Sequence, residues 1–241
     1  MRGSCLSGTF AAIVLLTVPA ALHAAPSRTV SFRADDGIAV AATWYEATRR
    51  PAPAVILLHM LSRSRDDWRA VADRLSDAGL HALAIDFRGH GDSGSSQLTD
   101  AGQLSRFVLD VRAARAFLLS LEGLVDTSAI GVAGASVGAN VGLLEAADDG
   151  TVRSLVLLSP SLDYQSLRSE AAMRQYAGRP ALLVAGADDP YALRSMKALA
   201  AVGDGIREML TVEEGGHGTI MLVRQPDLAR AVVDWFLRTL L

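Results

Sequence analysis

The stretch Ile130-Gly131-Val132-Ala133-Gly134-Ala135-Ser136-Val137-Gly138 decides the fold. It opens as an apolar run of strand character and closes on the spelling G-x-S-x-G, and residues 137–147 continue with helical spacing. The spelling alone is weak in a chain with 21 glycines. Its context is stronger, because a sharp strand-to-helix turn is what exposes a serine hydroxyl for reaction. Such a turn holds the serine in a strained backbone conformation, and the two glycines let helix and strand approach closely. The helix N-terminus beneath it favours developing negative charge.

On either side, strand and helix patterns alternate. Residues 29–34 and 38–45 read as strands that form a hairpin, and residues 54–59 are an unbroken apolar run of the kind buried on both faces. Residues 66–78 have helical spacing, with acids in the first turn and Gly79 past the end. Residues 81–86, 129–133, 154–158, 181–185 and 208–212 read as further strands, and residues 104–121, 193–202 and 226–240 as further helices. The pattern predicts an α/β fold with a mostly parallel central sheet of about eight strands flanked by helices. No repeat or low-complexity tract interrupts it.

The 241 residues are 50% hydrophobic and 20% charged, enough apolar material for one domain over residues 25–241. A formal net charge of −3 excludes a generally basic protein that holds nucleic acid by phosphate neutralisation. Arginine greatly outnumbers the single lysine, Lys197, but the arginines are scattered and nearly matched by acids, which is compositional bias. The only cysteine is Cys5, so neither a disulfide scaffold nor a Cys/His zinc site is available.

Arg2 is followed by an uncharged stretch, residues 3–27, with its apolar core at residues 10–18 and small residues from Ala20 to the Ala24-Ala25-Pro26 run. This matches a secretory signal peptide, residues 1–24, cleaved after about Ala24. The competing reading is an uncleaved anchor, but the apolar core is shorter than the roughly 18 residues that a span needs. The expectation is an exported, periplasmic or secreted product without stable membrane insertion. The mature chain then lacks cysteine.

A serine hydroxyl needs a base to take its proton and a carboxylate to orient that base. In this architecture both lie downstream. Gly215-Gly216-His217-Gly218 places a histidine in a glycine-rich loop between the last strand and the C-terminal helix, and Leu182-Leu183-Val184-Ala185-Gly186-Ala187-Asp188-Asp189-Pro190 puts two carboxylates at the end of a buried strand. Asp163, after the preceding strand, is a third candidate acid.

With these motifs in this order, the chain resembles the α/β-hydrolase fold family over essentially all of the mature sequence. Leu58-His59-Met60-Leu61 corresponds to the family's His-Gly turn after the third strand, and Asp86-Phe87-Arg88-Gly89-His90-Gly91-Asp92-Ser93 to its loop after the fourth. The resemblance implies Ser136 as nucleophile, His217 as base and Asp189 as triad acid, with Asp188 and Asp163 as the alternatives. It also implies an oxyanion hole from the backbone N–H of Val137 and of Leu61 or Met60. Met60 stands where the family usually has glycine. Only about 20 residues, 159–179, occupy the place where related folds carry a lid, so no large lid domain and a small, open site are expected. The similar dienelactone hydrolases use cysteine at the elbow, which the mature chain cannot supply.

The resemblance thus implies a serine hydrolase of small-molecule carboxylic esters that forms an acyl-enzyme and needs no metal or organic cofactor. An aminopeptidase or amidase with the same triad is the alternative, and a non-catalytic binding protein of the same fold is the reading from another class. His59, His90 and Arg88 read as structural, Trp68 and Trp235 as core or interface residues, and Tyr164 and Tyr191 as candidate pocket residues. The oligomeric state is not written in the sequence.

Overall fold

A computed structural model of the chain describes residues 27–94 and 101–241. The expected leader, residues 1–24, lies outside the described residues.

The chain opens with β1 (Ser27–Arg33) and β2 (Ala39–Tyr45), an antiparallel hairpin in which Ser27 faces Tyr45. It continues through β3 (Ala52–Leu58), a 3-10 turn (Arg65–Trp68), α1 (Arg69–Asp77) and β4 (His81–Ile85). A second 3-10 turn (Ala101–Arg106) leads into α2 (Phe107–Leu119), β5 (Val125–Ala135), α3 (Val137–Asp148) and β6 (Val152–Leu158). A small hairpin, β7 (Asp163–Tyr164) with β8 (Leu167–Arg168), precedes α4 (Ser169–Tyr176). The chain ends with β9 (Ala181–Gly186), α5 (Pro190–Ala200), β10 (Arg207–Val212), α6 (Ile220–Arg224) and α7 (Asp227–Leu240).

The sheet has eight strands in the order β1-β2-β4-β3-β5-β6-β9-β10. Only β2 runs against its neighbours; the remaining pairs are parallel. All seven residues of β3 are buried because apolar layers cover both faces: Ile56 and Leu58 pack with Phe107, Val141 and Met173, whereas Val55 and Leu57 pack with Leu75, Val232 and Phe236. Trp68 and Trp235 are buried in the second layer. The continuous apolar runs of the sequence correspond to these doubly covered strands.

The expected elements are present, with boundaries that local chemistry explains. The helix expected from residue 193 starts at Pro190, since the Asp189 side chain accepts from the Ala192 N–H and caps it and proline fits the first helical position. The connection of residues 159–179 carries β7, β8 and α4 and no lid domain; two-residue strands and a two-turn helix are too short to leave a periodic signal. Among the described residues, no helix is long and apolar enough to cross a membrane.

The crossing of α3 over the sheet is tight. A Cβ at Gly134 would lie 2.2 Å from the Gly138 carbonyl oxygen, and one at Gly138 would lie 2.6 Å from the carbonyl oxygens of both Leu58 and His59. These contacts are backbone, which cannot swing away. Gly138→Ala is therefore expected to destabilise the fold by about 1–3 kcal/mol, measured as a lowered urea midpoint at unchanged slope.

Candidate active site

Ser136 sits at the junction of β5 and α3 with φ 53° and ψ −116°, a conformation rarely adopted by residues other than glycine. Neighbours over-determine it. Its N–H donates to the Leu158 carbonyl at 2.8 Å, and its carbonyl accepts from the N–H groups of Ala139 and Asn140 at 3.0 and 3.2 Å. The hydroxyl is thereby presented at the carboxyl edge of the sheet, at the N-terminus of α3.

His217 lies in the loop between β10 and α6. Its Nε2 is 2.8 Å from Ser136 Oγ, and its Nδ1 is 2.5 Å from Asp189 Oδ2. A carboxylate can only accept, so Nδ1 carries the proton and Nε2 is left as the acceptor facing the serine. Asp189 divides its two oxygens between tasks: Oδ1 caps α5 and Oδ2 holds the imidazole. Of the three candidate acids, the structure brings Asp189 to His217. Asp188 turns the other way, accepting from the Gly216 N–H at 2.8 Å and facing Arg224 at 3.5 Å, while Asp163 is exposed on β7. The His217 side chain remains 47% exposed, so the site is open to solvent.

The turn after β3 lies across from the elbow. His59 is fully buried, its Nδ1 donating to the Met60 carbonyl at 2.7 Å and its Nε2 accepting from the Phe87 N–H at 3.0 Å. It is a staple, as its sequence context implies. The N–H groups of Ser62 and Arg63 are engaged, by His90 Nε2 and the Met60 carbonyl respectively. Those of Met60 and Leu61 have no acceptor among the described residues. Val137, the first residue of α3, has no intrahelical acceptor for its N–H either. Met60 also packs on the histidine loop, since a Cβ at Gly218 would lie 2.5 Å from its Sδ.

Further contacts hold the site that the sequence reading did not single out. The Thr219 hydroxyl donates to Asp67, which also receives Arg63 at 2.7 Å, tying the loop of His217 to the segment after β3. Burial opposes the charge on Asp67, but the bonds from Arg63 and Thr219 outweigh it and keep the carboxyl below the usual range. The Ser159 hydroxyl accepts the Gly218 N–H at 2.9 Å. On the other side Asn140, one turn into α3, accepts the Ser161 N–H at 3.0 Å, and the Tyr191 hydroxyl donates to the Asp163 carbonyl at 3.0 Å. These two bonds fix the β7–β8 hairpin, so Tyr164 and Tyr191 stand as exposed rings on its flank. Such pairings join residues far apart in the chain and leave no periodic trace. Arg88 is buried in ion pairs with Asp110 and Asp36, a structural role. Among the described residues, no cluster of three His, Cys, Asp or Glu side chains is placed to hold a metal ion.

A family model described as serine aminopeptidase, S33, matches residues 49–187. The chain belongs to that family. Its match includes Ser136 and stops short of Asp189 and His217. Similar solved structures include DcsB in complex with its substrate analogue, with a TM-score of 0.77 and 15% identity over 89% of this chain and 99% of that one. A dienelactone hydrolase from Anabaena variabilis gives 0.74 and 19% over 91% and 100%, and an esterase from Pyrococcus furiosus 0.73 and 19% over 95% and 96%. At these identities the likeness shows the fold. Epoxide hydrolase A of Mycobacterium tuberculosis is 38% identical over 66 residues, 27% of this chain and 20% of that protein. The chain is an α/β-hydrolase by fold and family.

Two outcomes follow from the geometry. Burial, with a smaller contribution from nearby His90, pushes His59 down to about 4 from its ordinary 6.5. The unfolded chain therefore binds more protons between those values, and stability present above about pH 6.5 is lost as pH falls toward 4. This group contributes at most about 1.4 kcal/mol per pH unit, and His59→Gln should flatten the dependence in urea titrations at pH 7 and 5 while lowering stability at pH 7. At Asp189, Asn retains the capping oxygen and Ala does not. Asp189→Ala should cost about 1 kcal/mol more in stability than Asp189→Asn by the same titration.

Proposed function

We propose that the chain is an exported serine hydrolase that cleaves carboxylic esters through Ser136, His217 and Asp189. The observation that carries this is the unbroken hydrogen-bonded line from Asp189 Oδ2 through the imidazole of His217 to Ser136 Oγ, at 2.5 and 2.8 Å. Ser136 Oγ attacks the ester carbonyl as His217 Nε2 takes its proton, and the carbonyl oxygen becomes an oxyanion. Backbone N–H groups of Val137 and of Leu61 or Met60 receive that charge, which the N-terminus of α3 also favours. Collapse expels the alcohol, protonated by His217, and leaves an acyl-Ser136. Water, deprotonated by the same imidazole, then releases the acid and restores the serine.

The open site and the short β6–β9 connection favour small, soluble esters, with the rings of Tyr164 and Tyr191 available to line their passage. Export is supported by the pattern of residues 1–27: a cation, an apolar core and small residues at the cleavage point. The family's description supports a second reading, in which the same three side chains cleave the amide bond of a peptide's first residue.

A fluorophosphonate probe should label the purified protein at Ser136, located by peptide mass spectrometry. Ser136→Ala should abolish labelling. His217→Ala should reduce ester turnover by about four to six orders of magnitude, and wild-type turnover should decline on acidification because a protonated imidazole is no base. Paired esters and anilides of the same acyl groups distinguish the two readings. An unlabelled but folded protein would overturn both.

A further inference from the structure

The loop that carries His217 has little rigidity of its own. Gly216 and Gly218 flank the histidine with φ of 73° and 60°, and glycine resists rotation less than any other residue. Something outside the loop must therefore set where the imidazole lies. Apart from Asp189 on the imidazole itself and Met60 packed on Gly218, three side chains accept hydrogen bonds from the loop: Asp188 takes the Gly216 N–H, Asp67 takes the Thr219 hydroxyl, and Ser159 takes the Gly218 N–H at 2.9 Å. Asp188 is 42% exposed, so water can replace it there. The Ser159 bond is buried, so water cannot substitute for it.

Ser159 also has an unusual backbone. It follows the last residue of β6, is 2% exposed and adopts φ 49°, and its N–H donates to the Val184 carbonyl at 2.7 Å on β9. A non-glycine residue keeps such a conformation where its surroundings over-determine it, and such residues gather at functional sites. The preceding residue, Leu158, accepts the N–H of Ser136. Two consecutive residues at the end of β6 thus hold the elbow and the histidine loop, and set the separation between them.

We propose that Ser159 is a positioning residue of this site: its hydroxyl, by accepting the Gly218 N–H, keeps His217 Nε2 within hydrogen-bonding reach of Ser136 Oγ. The proposal rests on the serine-hydrolase reading above. It assigns Ser159 no contact with substrate and no proton transfer.

The test compares wild type, Ser159→Ala and Ser159→Gly in the rate of fluorophosphonate labelling, in kcat and KM for p-nitrophenyl acetate, and in thermal midpoint. Both variants remove the acceptor, but glycine also relieves the left-handed backbone. Ser159→Gly should keep its thermal midpoint within a few degrees and still lose about 10- to 100-fold in labelling rate and kcat, with KM little changed. A folded Ser159→Gly with wild-type kcat would overturn the proposal. So would rate losses that merely follow loss of folding in both variants, since Ser159 would then be structural. Failure of wild type to label at all would instead remove the hydrolase reading, and this inference with it.

Discussion

The close approach of the first turn of α3 to the ends of β3 and β5 is the constraint on which the site depends. Gly138 brings the helix against the carbonyls of Leu58 and His59, and Gly134 brings the strand against the Gly138 carbonyl. With no Cβ at either position the helix axis can start at the sheet edge, and the chain between them must turn in a single residue. That residue is Ser136, and its positive φ is the geometric consequence. The same approach sets Gly138, next to Val137, against the His59 carbonyl at the start of the turn that carries Met60 and Leu61. The placement of the proposed nucleophile and of the proposed oxyanion donors therefore depends on one packing contact.

Much of this was legible in the sequence, for identifiable reasons. The residues of β3 are buried on both faces and read as an unbroken apolar run, and the elbow declares itself because a strand, two glycines and a helix must follow one another within nine residues. What could not be read was set by tertiary geometry. Asp188 and Asp189 are adjacent and chemically identical, and only the start of α5 decides that one faces His217 while its neighbour binds Gly216. The Asp-Pro pair did carry a helix-cap signal, which would have moved the expected start of that helix from residue 193 to Pro190. Ser159 and Gly218, or Asp67 and Thr219, meet across separations of 59 and 152 residues, and no local pattern records such contacts.

Asp189, the proposed triad acid, is held by the start of α5. A carboxylate that only oriented His217 would leave one oxygen to solvent and keep a freely rotating side chain. Here Oδ1 is engaged by the Ala192 N–H, so the plane of the carboxylate is fixed by the helix it caps, and Oδ2 meets the imidazole in a set direction. The entropy of ordering the side chain is offset by a bond that the helix needs in any case. Stability and orientation are coupled at this residue, although the two oxygens separate them chemically.

Met60 ties the turn after β3 to the histidine loop. A glycine after His59 would leave the turn free to rotate, whereas methionine constrains its backbone and projects a flexible thioether toward the loop of His217. That thioether occupies the space a side chain at position 218 would need, and Gly218, at φ 60°, has none. The turn after β3 supplies the bulk that the histidine loop lacks. The turn is anchored by His59, which bonds both the Met60 carbonyl and the Phe87 N–H, and by His90, which holds the N–H of Ser62. Two buried or half-buried imidazoles thus do the work of shape rather than of proton transfer, and leave His217 as the histidine whose second nitrogen faces a serine.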